Sequence, residues 1–132
     1  MRGILVTGVS TGIGKAIAES LLESDFLVIG SVRSLEDSIE LQRKFSKSFF
    51  PVKFDVTKKD EIKKAKKEVE KILSDNNSYL SCVINNAGIA LGGPIRYLDV
   101  DIFRKQFEVN FFGLIEVTKS FLDLLIDNNK YK

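Results

Sequence analysis

Thr7-Gly8-Val9-Ser10-Thr11-Gly12-Ile13-Gly14 decides how the rest of this chain is read. The apolar run Ile4-Leu5-Val6 before it predicts a strand, and the segment after it has helical periodicity. The stretch is the handover from a buried strand to a helix. Glycine lets a backbone turn sharply and approach a ligand that a Cβ would hold off. The unpaired N–H groups of a helix start, at the positive end of its dipole, form an anion site. Strand, glycine turn and helix N-terminus in that order predict a cradle for a dinucleotide pyrophosphate, built from Gly8, Ser10, Thr11, Gly12, Ile13 and Gly14. The competing reading is a glycine turn used only for packing.

Moving outward, Ile13, Ala16, Ile17 and Leu21 recur at helical spacing, with Lys15, Glu19 and Glu23 on another face. Phe26-Leu27-Val28-Ile29 reads as a strand covered on both sides, running into Gly30-Ser31-Val32-Arg33-Ser34. A helix is expected from about Glu36 to Lys47, with Ile39, Leu41 and Phe45 inward. Phe49 to Phe54 predicts a third strand, and Thr57 is a good N-cap for a helix carrying Ile62, Ala65, Val69 and Ile72 on one face. Leu80 to Ile84 predicts a fourth strand, ending at Asn85-Asn86-Ala87-Gly88. A loop from Gly88 to Pro94 leads to a long helix from roughly Asp101 to Ile126. This alternation predicts an α/β domain over residues 1–132, a Rossmann-like doubly wound parallel sheet truncated after about four strands.

Composition narrows the function classes. A chain of 132 residues suits one domain, and its average apolar content suits a soluble globular protein. A net charge of +2 gives no ground for a nucleic-acid or anionic-membrane partner. The lysines from Lys58 to Lys71 alternate with Asp60, Glu61, Glu68 and Glu70, as on a solvated helix face. No apolar run reaches the ~20 residues of a membrane span, and no signal peptide is visible ahead of the first strand. With Cys82 as the one cysteine, expected in the core of its strand, a reducing, cytoplasmic setting is expected. The absence of histidine removes a histidine base, and a lone cysteine argues against a zinc site.

The long helix is more apolar than one packed face requires. From Phe111 to Ile126, apolar positions cover roughly 240° of the wheel, against about 100° for an ordinary surface helix. The excess predicts further burial, against another segment or in a homodimer through helix 101–126.

The C-terminal ends of the strands, where α/β sheets bind ligands, carry the other candidates. A protein that holds a ribose 2′-hydroxyl usually has a carboxylate after the second strand. Here Val32 and Arg33 stand there, with no carboxylate before Glu36. A guanidinium suits a 2′-phosphate, which a carboxylate would repel, so NADP(H) is favoured over NAD(H). The plainer reading of Arg33 is an unpaired surface arginine.

The series T-G-x-x-x-G-x-G, Asp55-Val56, Asn85-Asn86-Ala87-Gly88 and Asn110 in Val109-Asn110-Phe111 resembles the short-chain dehydrogenase/reductase family in order and rough spacing, over the whole chain. The resemblance implies that Asp55 bonds the adenine amino group, with the Val56 backbone beside it. It implies that Asn85 to Gly88, Ala87 included, lie along the adenosine ribose and steady the sheet. Asn110 would be the active-site asparagine that helps hold a water in the proton relay. The same residues suit plainer roles: Asp55 as a cap or turn residue, Asn85 and Asn86 as strand-end turn formers, Asn110 as an asparagine bonded locally in its helix.

The resemblance also implies a serine and a Tyr-x-x-x-Lys pair acting on a small-molecule carbonyl or alcohol substrate. Tyr79, Tyr97 and Tyr131 are the tyrosines, and none has lysine four residues on; Tyr131-Lys132 is an adjacent pair. The expectation is therefore the cofactor-binding half of an NADP-dependent oxidoreductase, inactive by itself. The alternatives are a non-catalytic NADP-binding or subunit-interaction module and an inert truncated product.

Overall fold

The computed structural model describes residues 1–126, so Tyr131-Lys132 lies outside the described residues. Four strands, β1 (Arg2–Thr7), β2 (Leu27–Val32), β3 (Phe49–Lys53) and β4 (Tyr79–Ile84), form one sheet in the order β3-β2-β1-β4. Every pairing is parallel. Parallel strands need crossovers, which the intervening segments supply as α1 (Gly12–Glu23), α2 (Ile39–Lys44) and α3 (Lys59–Asp75). The chain steps outward from β1 to β3, then returns to the other side of β1 for β4. That reversal opens a crevice beyond the carboxyl ends of β1 and β4.

The alternation of side chains divides the core in two. Ile4, Val6, Val28 and Val32 pack with Ala18 and Leu22 of α1 and Leu41 of α2. Leu5, Leu27, Ile29 and Val52 pack on the opposite face with Ile62, Ala65, Val69 and Leu73 of α3 and with Val117 and Phe121 of the last helix. Helices on both faces explain why β2 is buried at every position.

The long helix is three pieces in line: α4 (Val100–Phe107), a π-helical turn Glu108–Gly113, and α5 (Leu114–Ile126). Its surplus apolar surface is visible as exposed Phe107, Phe111, Phe112, Leu114, Ile115 and Leu122.

Several local expectations are corrected. In α1 the inward residues are Gly14, Ala18 and Leu22, with Ile17 and Leu21 partly buried, while Ile13 is 75% exposed. The reason is the close approach of Gly14 to the Gly8 backbone, which rotates the helix and turns Ile13 outward. The expected helix 36–47 is a 3₁₀ turn, Leu35–Ser38, followed by the short α2, and Ile39 is exposed. Thr57 does not cap α3; Lys58 occupies that position, and Thr57 bonds back to Asp55 instead. Cys82 is exposed rather than in the core. A bulge puts Ser81 between the partners of Gly3 and Ile4, so Cys82 pairs with Ile4. It therefore joins the face on which Ile4 packs, and is exposed there on the outermost strand.

Candidate functional site

The crevice holds a cavity of about 370 Å³, within the range of small-molecule and cofactor sites. Gly8, Ser10, Thr11, Ile13 and Gly14 line it from the first loop and the start of α1, Ser31 and Val32 from β2 with Arg33 just beyond it, and Phe54, Asp55 and Val56 from beyond β3. Asn86, Ala87, Gly88, Ile89 and Val109 complete the wall. Residues drawn from the ends of four strands thus converge, because each parallel strand delivers its carboxyl end to the same edge.

The glycine loop is shaped by two constraints. Gly8 and Gly12 adopt φ of +73° and +59°, conformations that side chains disfavour. At Gly14 the constraint is space: a Cβ would lie 2.0 Å from the Gly8 carbonyl oxygen and 2.3 Å from Asn86 Nδ2. The helix that starts here has no side-chain cap on its first N–H groups and no acidic residue in its first turn. Its positive end is left free for an anion, which fits a pyrophosphate-bearing ligand.

Hydrogen bonds tie the loop to both neighbouring strands. The Gly8 N–H donates to Ser31 Oγ at 3.0 Å, and the Val9 N–H to the Ser31 carbonyl at 3.1 Å. On the other side Thr7 Oγ1 accepts from the N–H groups of Asn86 and Ala87 at 3.0 and 2.9 Å. Asn86 Nδ2 returns donors to the carbonyls of Thr7 and Gly8, each at 3.0 Å. Thr7 and Ser31 are buried, so these polar groups are spent on one another.

Asp55 has a double role. Its Oδ1 accepts the Thr57 N–H and hydroxyl at 2.8 and 2.7 Å, while its own N–H donates to Glu61 Oε2 at 2.8 Å. Burial opposes its charge, yet the two Thr57 bonds, with Lys58 and Arg33 nearby, hold its carboxyl below the ordinary carboxylate value. Oδ2 has no hydrogen bond among the described residues. Arg33 is exposed and makes no ion pair among the described residues, so its guanidinium is available at the cavity wall.

Asn85 and Asn110 lie elsewhere. Asn85 Nδ2 donates to Thr118 Oγ1 of α5 at 3.0 Å, away from the cavity, and its buried Oδ1 has no partner among the described residues. Asn110, in the π-helical turn, accepts the Ile89 N–H at 2.8 Å and donates to the Ile89 carbonyl at 2.7 Å. It borders a second hollow of about 250 Å³ with Phe103, Gln106, Phe107 and Phe111. Gly12 shapes the loop without lining the cavity.

Sequence reading did not mark Ser31, Phe54, Ile89 and Val109 as lining residues, nor Asn86 as the loop's cross-link. Ser31 carried a signal, being a polar residue inside an otherwise apolar strand. The apolar lining residues carried none, since their pattern is that of core. Among the described residues no cluster of three acidic, histidine or cysteine side chains could hold a metal ion, and no helix is long and apolar enough to cross a membrane.

Comparison with known proteins agrees with this architecture. The NADPH-dependent 3-dehydrocapnine reductase of Ornithobacterium rhinotracheale is 41% identical over 125 residues, which are 95% of this chain and 44% of the relative. Estradiol 17-beta-dehydrogenase 2 of Rattus norvegicus is 38% identical over 94% of this chain and 33% of its own length. The solved NADPH-bound carbonyl reductase from chicken fatty liver superposes with a TM-score of 0.87 at 28% identity, covering 98% of this chain and 50% of that one. The chain thus spans half or less of the length of each. A family model described as short chain dehydrogenase matches residues 2–131. On that match, and on the sheet and glycine loop that accompany it, the chain belongs to the short-chain dehydrogenase family.

Proposed function

We propose that this chain is the cofactor-binding half of an NADP-dependent oxidoreductase that moves a hydride between nicotinamide and a small carbonyl or alcohol substrate. The observation that carries the reading is the convergence of the glycine loop, Arg33 and Asp55 on one cavity. The free N–H groups at the start of α1 would take the pyrophosphate, and Arg33 the 2′-phosphate. The unpartnered Asp55 Oδ2 would accept the adenine amino group, with Val56 beside it. NADPH, when bound, supplies the hydride. Two names support NADP in particular, since a relative and a structural neighbour are described as NADPH-dependent and NADPH-bound. Asn110, its carboxamide bonded to Ile89, would help hold a water in the proton relay.

Neither described tyrosine, Tyr79 nor Tyr97, is followed by lysine at the fourth position, so this chain by itself would not turn over substrate. The second reading is a non-catalytic NADP-binding or subunit-interaction module. The exposed phenylalanines and leucines between Phe107 and Leu122 favour an added covering surface, either more chain or a second copy. The coding sequence beyond the Lys132 codon separates the two. A serine followed by Tyr-x-x-x-Lys, in frame or after one shift, is the expected result; unrelated sequence there would leave the module.

A further inference from the structure

Residues 89–91 form an irregular strip, half-buried at Ile89 and exposed at Ala90 and Leu91, that is held by four hydrogen bonds. Gln106 repeats at Leu91 what Asn110 does at Ile89: its Oε1 accepts the Leu91 N–H at 3.0 Å, and its Nε2 donates to the Leu91 carbonyl at 2.7 Å. Among the described residues these and the two Asn110 bonds are all that the strip makes. The geometry is self-consistent. Positions four apart on a helix are displaced by about 6 Å along its axis. Alternate residues of an extended chain are about 6.6 Å apart. Two carboxamides four positions apart thus each hold the backbone N–H and carbonyl of one of two alternate residues, Ile89 and Leu91. Gln106 is half-buried beside Phe103 and Phe107 in the smaller hollow.

We propose that Gln106 is a positioning residue for the cofactor site: paired with Asn110, it holds the 89–91 strip at two points and so fixes the Ile89 wall of the cavity. The inference rests on the cofactor reading above and deepens it. Ile89 lines the cavity, and Gly88 before it is confined, since a Cβ there would lie 3.2 Å from Asn110 Oδ1. With Asn110 alone, the strip is pinned at one end and free to swing at the other. Gln106 supplies the second point that makes the wall rigid.

The test uses the 132-residue chain with two variants. Gln106→Met keeps the length and loses both bonds; Gln106→Glu keeps the acceptor for the Leu91 N–H and loses the donor. Amide hydrogen exchange without ligand should show Leu91 at least about tenfold faster in Gln106→Met, an intermediate rise in Gln106→Glu, and a smaller change at Ile89. NADPH fluorescence titration should show affinity lowered about fivefold to tenfold in Gln106→Met and less in Gln106→Glu, with thermal unfolding nearly unchanged. Unchanged exchange at Leu91 overturns the clamp. Faster exchange with unchanged NADPH affinity overturns the positioning role while leaving the cofactor reading intact. If the unaltered chain binds no NADPH, the cofactor reading falls, and the positioning role with it.

Discussion

Thr7 and Asn86 close the glycine loop against the loop after β4, with the Asn86 N–H on Thr7 Oγ1 and the Asn86 carboxamide on the Thr7 carbonyl, both at 3.0 Å. The two residues are 79 positions apart in the chain. The bond therefore joins the first and fourth strands at the edge where the cavity opens. Because Thr7 Oγ1 also takes the Ala87 N–H, its removal would strand two backbone donors at once. Thr7→Val, nearly isosteric, should cost about 2–4 kcal/mol in denaturant unfolding. Thr7→Ser, which keeps the hydroxyl, should recover most of it. A Thr7→Val loss no larger than the Thr7→Ser loss would contradict the role given to the hydroxyl.

At Gly14 the neighbours are backbone and a bonded carboxamide, which cannot move aside cheaply. Gly14→Ala should destabilise the chain by about 3 kcal/mol, the upper end of overpacking costs. It should also abolish nucleotide binding by pushing α1 off the loop. Unfolding and titration of the same sample check both; a stable variant with unaltered binding would contradict the close approach.

Arg33 is the cationic side chain among the cavity's lining residues, and the proposed function assigns it the choice between the two nicotinamide cofactors. Charge-assisted bonds to a phosphate are worth about 1.5–3 kcal/mol, so Arg33→Asp should weaken NADPH binding by roughly 10- to 100-fold. NADH binding should hold or improve. Parallel calorimetric titrations with both nucleotides give the ratio, and an unchanged ratio removes Arg33 from the selection.

Asp55 gives the site a pH signature. Its folded carboxyl lies below the ordinary value of 3.8, so it stabilises the fold above that pH, and the contribution is lost as pH falls through its folded pKa. Thr57→Val removes the hydroxyl bond and should move the Asp55 carboxyl upward, as followed by carbon NMR. The stability gap between Thr57→Val and the unaltered chain should be present at pH 7 and narrow below about pH 4. A gap of the same size at pH 2 and pH 7 would show that Thr57 acts through packing alone.

Much of this was legible because it depends on local patterns. The apolar runs of β1, β2 and β4 and the glycine spacing predict a parallel sheet with its ligand at one edge, and the fold has the sheet and a cavity at that edge. What escaped depends on contacts distant in sequence. Gly14 must approach Gly8 and Asn86, so α1 faces inward one position away from the apolar residues, and periodicity reads Ile13 as core. The bulge at Ser81 shifts Cys82 to an uncovered face, which no local pattern marks. Asn85 and Asn86 are identical in type and adjacent, yet alternation sends one toward Thr118 and the other into the cavity. Thr57 has the chemistry of a cap, but its N–H and hydroxyl both donate to the Asp55 carboxylate two residues before it, and the cap position falls on Lys58.

The central claim is that the cavity formed by the glycine loop, Arg33 and Asp55 binds NADP(H). Equilibrium titration of the purified 132-residue chain with NADPH, followed by nucleotide fluorescence and repeated with NADH, tests it most directly. Saturable one-to-one binding, tighter for NADPH than for NADH, is the predicted result. A folded chain that binds neither nucleotide, or binds NADH more tightly, would contradict it.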